Sequence, residues 1–413
     1  MFSFPHEIYF SKTTSYSLML YGGKIKPREY NEITGYGIRV LKDRRVGFAY
    51  CTHENEIKKS LEKAAEASKF SPQSNFSFAP KTTFPNVDIY DRKIANMDET
   101  GLKNILEEIR SGAERYSKNT KIMVSTSEEE TRIENSYGLE GEYRCTVLSV
   151  YGEVMDEDGF GFYSNAFTHL PGDFYDMGLQ AAEMARAMRK PKRPEPGMYT
   201  VVMGPETLTD LLDILLPSFL GDWKRRGISV LATKKGKSFF NEKLSLYDDG
   251  TLSGTAGRPF DDEGVPARRR PLIENGVVMD FIYDRETAFL EGIERDGYCN
   301  RAAFSAPPMP GNSNIEIAVG DVENVEEEYK GEKTLLIYAL HGTHTANRTT
   351  GDFGVEINAG MLLGKEKKAV GGFMITGNIF NLFRDIENIE KKTKSCGSFF
   401  SPRIVFGNLR VVS

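Results

Sequence analysis

Few groups in this chain could carry chemistry. Asp261-Asp262-Glu263 is a dense carboxylate triplet on a loop punctuated by glycine and proline. Such oxygens can hold a hard cation or clamp an amine. They can equally accept backbone N–H groups in a turn and pair with Arg258 or with the arginines at 268–270; we read them as that scaffold, with contact to a peptide as the functional alternative. His341 and His344 are two of five histidines and stand three apart. That spacing suits metal ligands on a helix, but the preceding TLLIYAL reads as a strand, where residues three apart point to opposite sides. Cys396 adds a thiol in a Ser-Cys-Gly segment. Ser136, Ser305 and Ser313 lie in no Gly-x-Ser-x-Gly elbow. Gly351-Asp352-Phe353 and Gly371-Gly372 follow neither a phosphate-loop nor a dinucleotide pattern. They let backbone approach backbone, in a sharp turn or beside an extended peptide.

A helix that could present a metal does not carry the ligands. Residues 204–227 read GPETLTDLLDILLPSFLGDWKRRG, with Leu208, Leu211, Leu212, Leu215 and Leu216 on one helical face. Pro205 and Glu206 suit its first turn, and Pro217 ends or kinks it. A zinc protease helix needs two histidines on one face and a glutamate to activate water. This face is leucine.

The elements that must position these groups fall into two halves. Residues 7–21, 35–41 and 45–51 read as strands, broken by Gly22-Gly23, and 54–69 as a helix with Thr52 as candidate N-cap. A loop covers 71–87. Leu102, Ile105, Ile109 and Ala113 mark a second helix, strands follow at 121–126, 130–135 and 143–155, and a Met-rich core helix covers 174–190. RKPKRPEPG, ending at Gly197, reads as the linker. The expected class is α+β: an N-terminal domain over 1–190 with a mixed sheet, a linker at 191–197, and a β-rich, largely antiparallel domain over 198–413.

The 413 residues leave room for more than one core, and a charged fraction of 27% is ordinary for a soluble chain. No run approaches the roughly twenty apolar residues of a membrane span, and the N-terminus does not read as a secretory signal. Four dispersed cysteines fit reduced thiols and a cytoplasmic setting. A net charge of −6 argues against nucleic acid as a partner, despite basic clusters at 224–226, 234–237 and 268–270.

The second half resembles the TldD/PmbA family. The likeness rests on Gly221–Gly227, on GRPFDDEGVPARRRPLIENGVV at 257–278, on TGDFGVEINAG at 350–360 and on ITGNIFNLFRDI at 375–386. A weaker version runs through GYGIRVLKDRRVGFA at 35–49 and NSYGLEG at 135–141. In the TldD branch a His-Glu-x-x-x-His helix precedes the Gly-Asp-x-x-Arg-Arg-Gly element and binds the catalytic metal. Laid on this chain, that pattern falls on Leu212, Asp213 and Pro217, so the chain looks like the PmbA/TldE branch. The resemblance implies no cofactor here, zinc in a TldD-like catalytic partner, pairing with that partner or with itself, and unfolded or small peptides as substrate. Cys396 resembles the C-terminal cysteine of the TldD metal site, kept without its histidines. The alternative is a self-sufficient, homo-oligomeric hydrolase with an unusual metal or thiol site from His341, His344, Cys396 and the 261–263 carboxylates.

Overall fold

The alternating pattern at the N-terminus continues further than expected, because each strand is matched over its length by a neighbour. In a computed structural model that describes residues 4–293 and 298–412, β1 (His6–Tyr21) is met at its end by the short β2 (Lys24–Ile25), which folds back on it antiparallel. It pairs with β3 (Glu29–Lys42), which is flanked by β4 (Arg45–Cys51). On its other side come β5 (Asn119–Asn135), β6 (Glu140–Asp156) and β7 (Gly159–Phe167), in the order β4-β3-β1-β5-β6-β7. The stretches read as separate strands at 121–126 and 130–135 are one strand. Its burial changes parity midway: Thr120, Ile122, Val124 and Thr126 are buried, then Thr131 and Ile133. The helices cover one face of this sheet, and Phe260 of the second half packs beside Tyr9 and Ile133 on the other. Helix α1 (Ile57–Ala67) packs on Ile38 and Val40 of the even face. After the short α2 (Arg92–Ala95), α3 (Glu99–Ala113) and α4 (Phe174–Ala187) cover Ile122, Val124, Leu148 and Val150 on that same face. Asp98 and Asp173 cap α3 and α4 by accepting backbone N–H groups. Thr52 caps nothing; the chain enters α1 through a 3-10 turn at Glu54–Glu56 without a side-chain cap.

After α4 the chain crosses to a second sheet. The Lys192 N–H donates to the Ala369 carbonyl, and the Lys192 carbonyl accepts from Gly371 N–H, so this segment is tied to the sheet it leads into. The strands are β8 (Gly197–Met203), β9 (Leu246–Asp249), β10 (Arg269–Glu274), β11 (Val277–Val278), the small pair β12 (Cys299–Asn300) and β13 (Met309–Pro310), β14 (Ile315–Ile317), β15 (Thr334–His341), β16 (Asp352–Leu363), β17 (Lys367–Val370), β18 (Phe373–Asn378), β19 (Ile386–Cys396) and β20 (Phe399–Val412). Because β8 pairs with both β15 and β20, the strands β20, β18, β16, β15 and β8 close a ring. The parallel pairings, β8 with β15 and β14 with β20, lie in this sheet. The α+β class therefore stands, but the mixed pairing belongs to the second sheet; the first is antiparallel at every junction. Helix α5 (Pro205–Leu215) buries Leu208, Leu211, Leu212 and Leu215 among Val201, Ile337, Ile404 and Phe406 of that ring. Among the described residues no helix is long and apolar enough to cross a membrane.

Candidate functional site

Helix α5 is where the site would have to be built. Pro205 occupies its first turn, and the Leu216 N–H makes the last helical bond, to the Leu212 carbonyl. Pro217 has no N–H to continue the ladder, so the chain tightens into a 3-10 turn over Leu216–Phe219. Leu212 is 1% exposed and points into the core. Asp213 and Asp210 lie on the outer face. Burial, then the Asp213 charge, pushes the Asp210 carboxyl up to about 6. Asp213 is raised by burial against the pull of Arg348. The next segment, α6 (Gly221–Arg225), is structural: a Cβ on Gly221 would stand 2.2 Å from the Tyr283 ring, and Lys224 pairs with Glu291.

Cys396 comes to the same helix from the β19–β20 hairpin. Its thiol lies against Thr209, Glu206 and Asp210, and burial followed by the Glu206 charge pushes it up to about 11. A thiol so placed is mostly protonated at neutral pH, which makes it a poor nucleophile. Beside it opens a cavity of about 750 Å³ between β7 and α4 on one side and α5, β15 and β19 on the other, with Tyr163, Glu183, Glu206, Tyr338 and Arg403 in its lining. Asn165 closes one flank by donating to the Ser395 carbonyl and accepting from Gly397 N–H.

The two histidines are not drawn into this cleft as a ligand set. His341 ends β15, Gly342 turns left-handed at φ +85°, and His344 sits in the 3-10 turn that follows; both are exposed. Among the described residues the one group of three acidic, cysteine or histidine side chains with ligand atoms within 4.8 Å is Asp261, Glu263 and Cys299. Among the described residues His341, His344, Cys396 and the 261–263 carboxylates do not come together as one ligand group within 4.8 Å.

The triplet is a clasp between the two halves. Asp261 Oδ1 accepts the N–H groups of Glu263 and Val265 at 2.9 Å, and its Oδ2 accepts Cys299 N–H at 3.1 Å. Glu263 takes Arg39 Nη1 at 2.6 Å and the Arg285 N–H at 2.7 Å. Arg39 also forks onto Glu7 at 2.9 and 2.8 Å, and Arg301 reaches Glu7 at 2.8 Å. Asp262 holds Arg258 at 3.0 Å and Arg301 N–H at 2.6 Å. Burial, then Glu263, pushes Asp261 up to about 7, and burial raises the Cys299 thiol well above its ordinary value. With its oxygens occupied and its thiol protonated, the group is a hydrogen-bonded turn rather than a cation cage. Of the expected partners Arg258 pairs here, whereas Arg269 pairs with Glu316 and Arg270 with Asp248. Sequence reasoning missed Glu7, Arg39 and Arg301; for Arg39 the local sign was a charge set between Ile38 and Val40 in a strand.

Gly351, Asp352 and Phe353 open β16. Gly351 is left-handed at φ +81°, and Phe353 is core. Hydrogen bonds from Asn378 and Thr350 hold Asp352 below the usual carboxylate range. Asp352 and Asn378 are register partners, so the segments at 350–360 and 375–386 meet in one pair of strands.

Family models described as PmbA/TldA metallopeptidase domain 1, central domain and C-terminal domain match residues 6–69, 91–189 and 196–413. The chain belongs to the PmbA/TldD family. It is 28% identical to an uncharacterised protein of Methanocaldococcus jannaschii, covering 98% of this chain and 95% of that one. It is 24% identical to the metalloprotease PmbA of Escherichia coli O157:H7 over 96% and 91% of the two chains. The crystal structure of TldE from Thermococcus kodakarensis shares the fold at a TM-score of 0.88 and 23% identity, over 99% and 97%. Helix α5 and Cys396 both fall in the stretch that the C-terminal domain model matches.

Proposed function

We propose that this chain is a non-catalytic, TldE/PmbA-like subunit of a cytoplasmic peptidase whose zinc and catalysis reside in a TldD-like partner. Its part is to complete a chamber, as partner of that subunit or as its own dimer, and to hold unfolded or small peptides in extended form. The observation that carries this reading is Leu212, 1% exposed among leucines at a position where an imidazole would have to reach a metal. Pro217 at the start of a 3-10 turn supports it, since a ligand there would face away from a regular helix. DNA has no place in the reading: in the basic clusters Lys224 is matched by Glu291, Lys235 by Asp280 and Arg269 by Glu316.

Elemental analysis and light scattering test this together. The chain purified alone should hold no stoichiometric zinc. Co-expressed with a TldD-like protein it should form a complex whose peptide hydrolysis is abolished by a chelator. One tightly held metal per chain, lost in His341→Ala or Cys396→Ala, would overturn the proposal.

A further inference from the structure

A second cavity, of about 480 Å³, lies between the odd face of the first sheet and two segments of the second half. Its floor is Tyr9, Ser11 and Thr13 of β1, Glu129 of β5, and Tyr143 and Cys145 of β6. Register explains the grouping: Thr13 stands opposite Glu129, which stands opposite Cys145, and Thr131 stands opposite Tyr143. The roof is the 255–258 loop and the strap 300–304. The strap can lie flat because Gly35 and Gly37 of β3 carry no Cβ, which would meet Phe304 at 2.4 and 2.5 Å.

We propose that this pocket binds an ammonium or guanidinium group on the Glu129 carboxylate, between the Tyr9 and Tyr143 hydroxyls. The charge balance is the first support. Glu7, Asp262 and Glu263 are ion-paired with Arg39, Arg258 and Arg301, and Asp261 accepts three backbone N–H groups, whereas Glu129 makes no ion pair within 4 Å among the described residues. Glu129 accepts one hydrogen bond, from Thr131 Oγ1 at 3.0 Å, where an ionised carboxylate has about four acceptor positions. The cations of the lining are, by contrast, nearly used up. Arg258 gives hydrogens to Tyr298, Asp262, the Cys299 carbonyl and Asn300. Arg301 gives its side-chain hydrogens to Glu7 and to the Asp262 and Ala306 carbonyls. An anion would find few free donors, whereas a cation finds a free acceptor.

The second support is independent of charge. Tyr9 is 4% exposed and lines the cavity, yet its hydroxyl has no hydrogen-bond partner among the described residues. Its oxygen is not among the sealed-off polar atoms, so it opens on the cavity, where a ligand N–H can meet it. The Tyr143 hydroxyl is likewise without a partner in the same lining. Two phenolic oxygens and a carboxylate make an acceptor set that an N–H-rich cation satisfies, with aromatic rings beside it. Burial, joined by the Asp262 charge and opposed by the Thr131 bond and the Arg258 charge, raises the Glu129 carboxyl.

A free amine and a basic residue on a peptide share this chemistry, so calorimetry should use both putrescine and an end-blocked Ala-Lys-Ala peptide, with Ala-norleucine-Ala as control. One-site saturable binding of at least one amine, and none of the control, is expected from the full chain; which probe binds identifies the source. Glu129→Gln should weaken that binding at least about tenfold without lowering the melting temperature, and Glu129→Asp should recover part of it. Should Glu129→Gln not fold, the pair Tyr9→Phe and Tyr143→Phe keeps the packing and should weaken binding about threefold or more. Absence of saturable binding by either amine, or unchanged affinity in these variants, overturns the proposal.

Discussion

Arg39 is 4% exposed, with Glu7 and Glu263 on its nitrogens and the rings of Phe76 and Phe78 at 5.1 and 5.4 Å. Burial opposes its charge, but the two carboxylates outweigh that and hold it protonated. Whether such a cluster adds net stability over an apolar core is a separate matter from what happens when it is broken. Arg39→Ala would leave two buried carboxylates facing each other, and we expect a loss of about 3–5 kcal/mol in urea unfolding. Arg39→Lys should recover little of it, since a point charge cannot fork onto one carboxylate while reaching another. A loss under about 1 kcal/mol for the alanine variant would mean that water fills the gap. Asp210 makes a pH-dependent case. Its carboxyl titrates at about 6 when folded and near 3.8 when unfolded. Between those values the folded chain holds a proton the unfolded chain has released, so the stability it contributes is complete below 3.8 and lost as pH rises through about 6. Asp210→Asn should therefore flatten this part of the profile. It should be more stable than the parent above that range, by about 1 kcal/mol once partial exposure is allowed for. Melts on both sides of the window, with parallel profiles for the two proteins, would count against the assignment.

At the level of the elements, Gly37 is a contact and not a hinge. Its absent Cβ leaves 2.5 Å to the Phe304 carbonyl oxygen, which cannot rotate aside as a ring could. Gly37→Ala should lift the 300–304 strap from β3 and cost about 1–3 kcal/mol, read as a lowered melting temperature; an unshifted melt would show that the strap yields freely. How much of this was legible follows from how local each cause is. The face of α3 could be read because Leu102, Ile105 and Ile109 repeat at the helical period and all are buried. The end of α5 could be read because proline's missing N–H acts where it stands. The length of β5 could not: its burial parity changes at mid-strand because two different partners cover opposite faces, and that depends on segments far along the chain. The clasp was hidden for the same reason, since Arg39 and Glu263 are separated by 224 positions. Asp261, Asp262 and Glu263 were visible as chemistry, but their partners were not. The reverse holds for Cys396, whose approach to α5 depends on the β19–β20 hairpin.

For the molecule as a whole, the edges of the second half do not require a partner along the ring, because β8 joins β15 to β20 and leaves no open strand there. What the two halves need is each other. Among the ties that cross between them are the clasp of Glu7 and Arg39 with Glu263 and Arg301, the Asn165 bonds to Ser395 and Gly397, the Thr168 hydroxyl donating to the Ser253 carbonyl, Arg285 donating to the Ser77 and Phe78 carbonyls, and Phe260 packed against Phe84 and Tyr143. Phe260 is 1% exposed and sits in a cluster with Ile133 and Leu139, so separating the halves would put a shared core into water. Opening of one half should therefore require opening of the other. Native-state hydrogen exchange should give the most protected amides of β5–β6 and of β16–β18 the same limiting free energy, equal to that from global unfolding. In Arg39→Ala the clasp is gone while both helix-packed cores are intact, and the two limits should separate, with the first sheet exchanging at the lower value. Two different limits in the unaltered chain would show that the halves are independent folding units joined only in their resting arrangement. The ion network at 261–263 would then be an ornament of the interface and not what couples it.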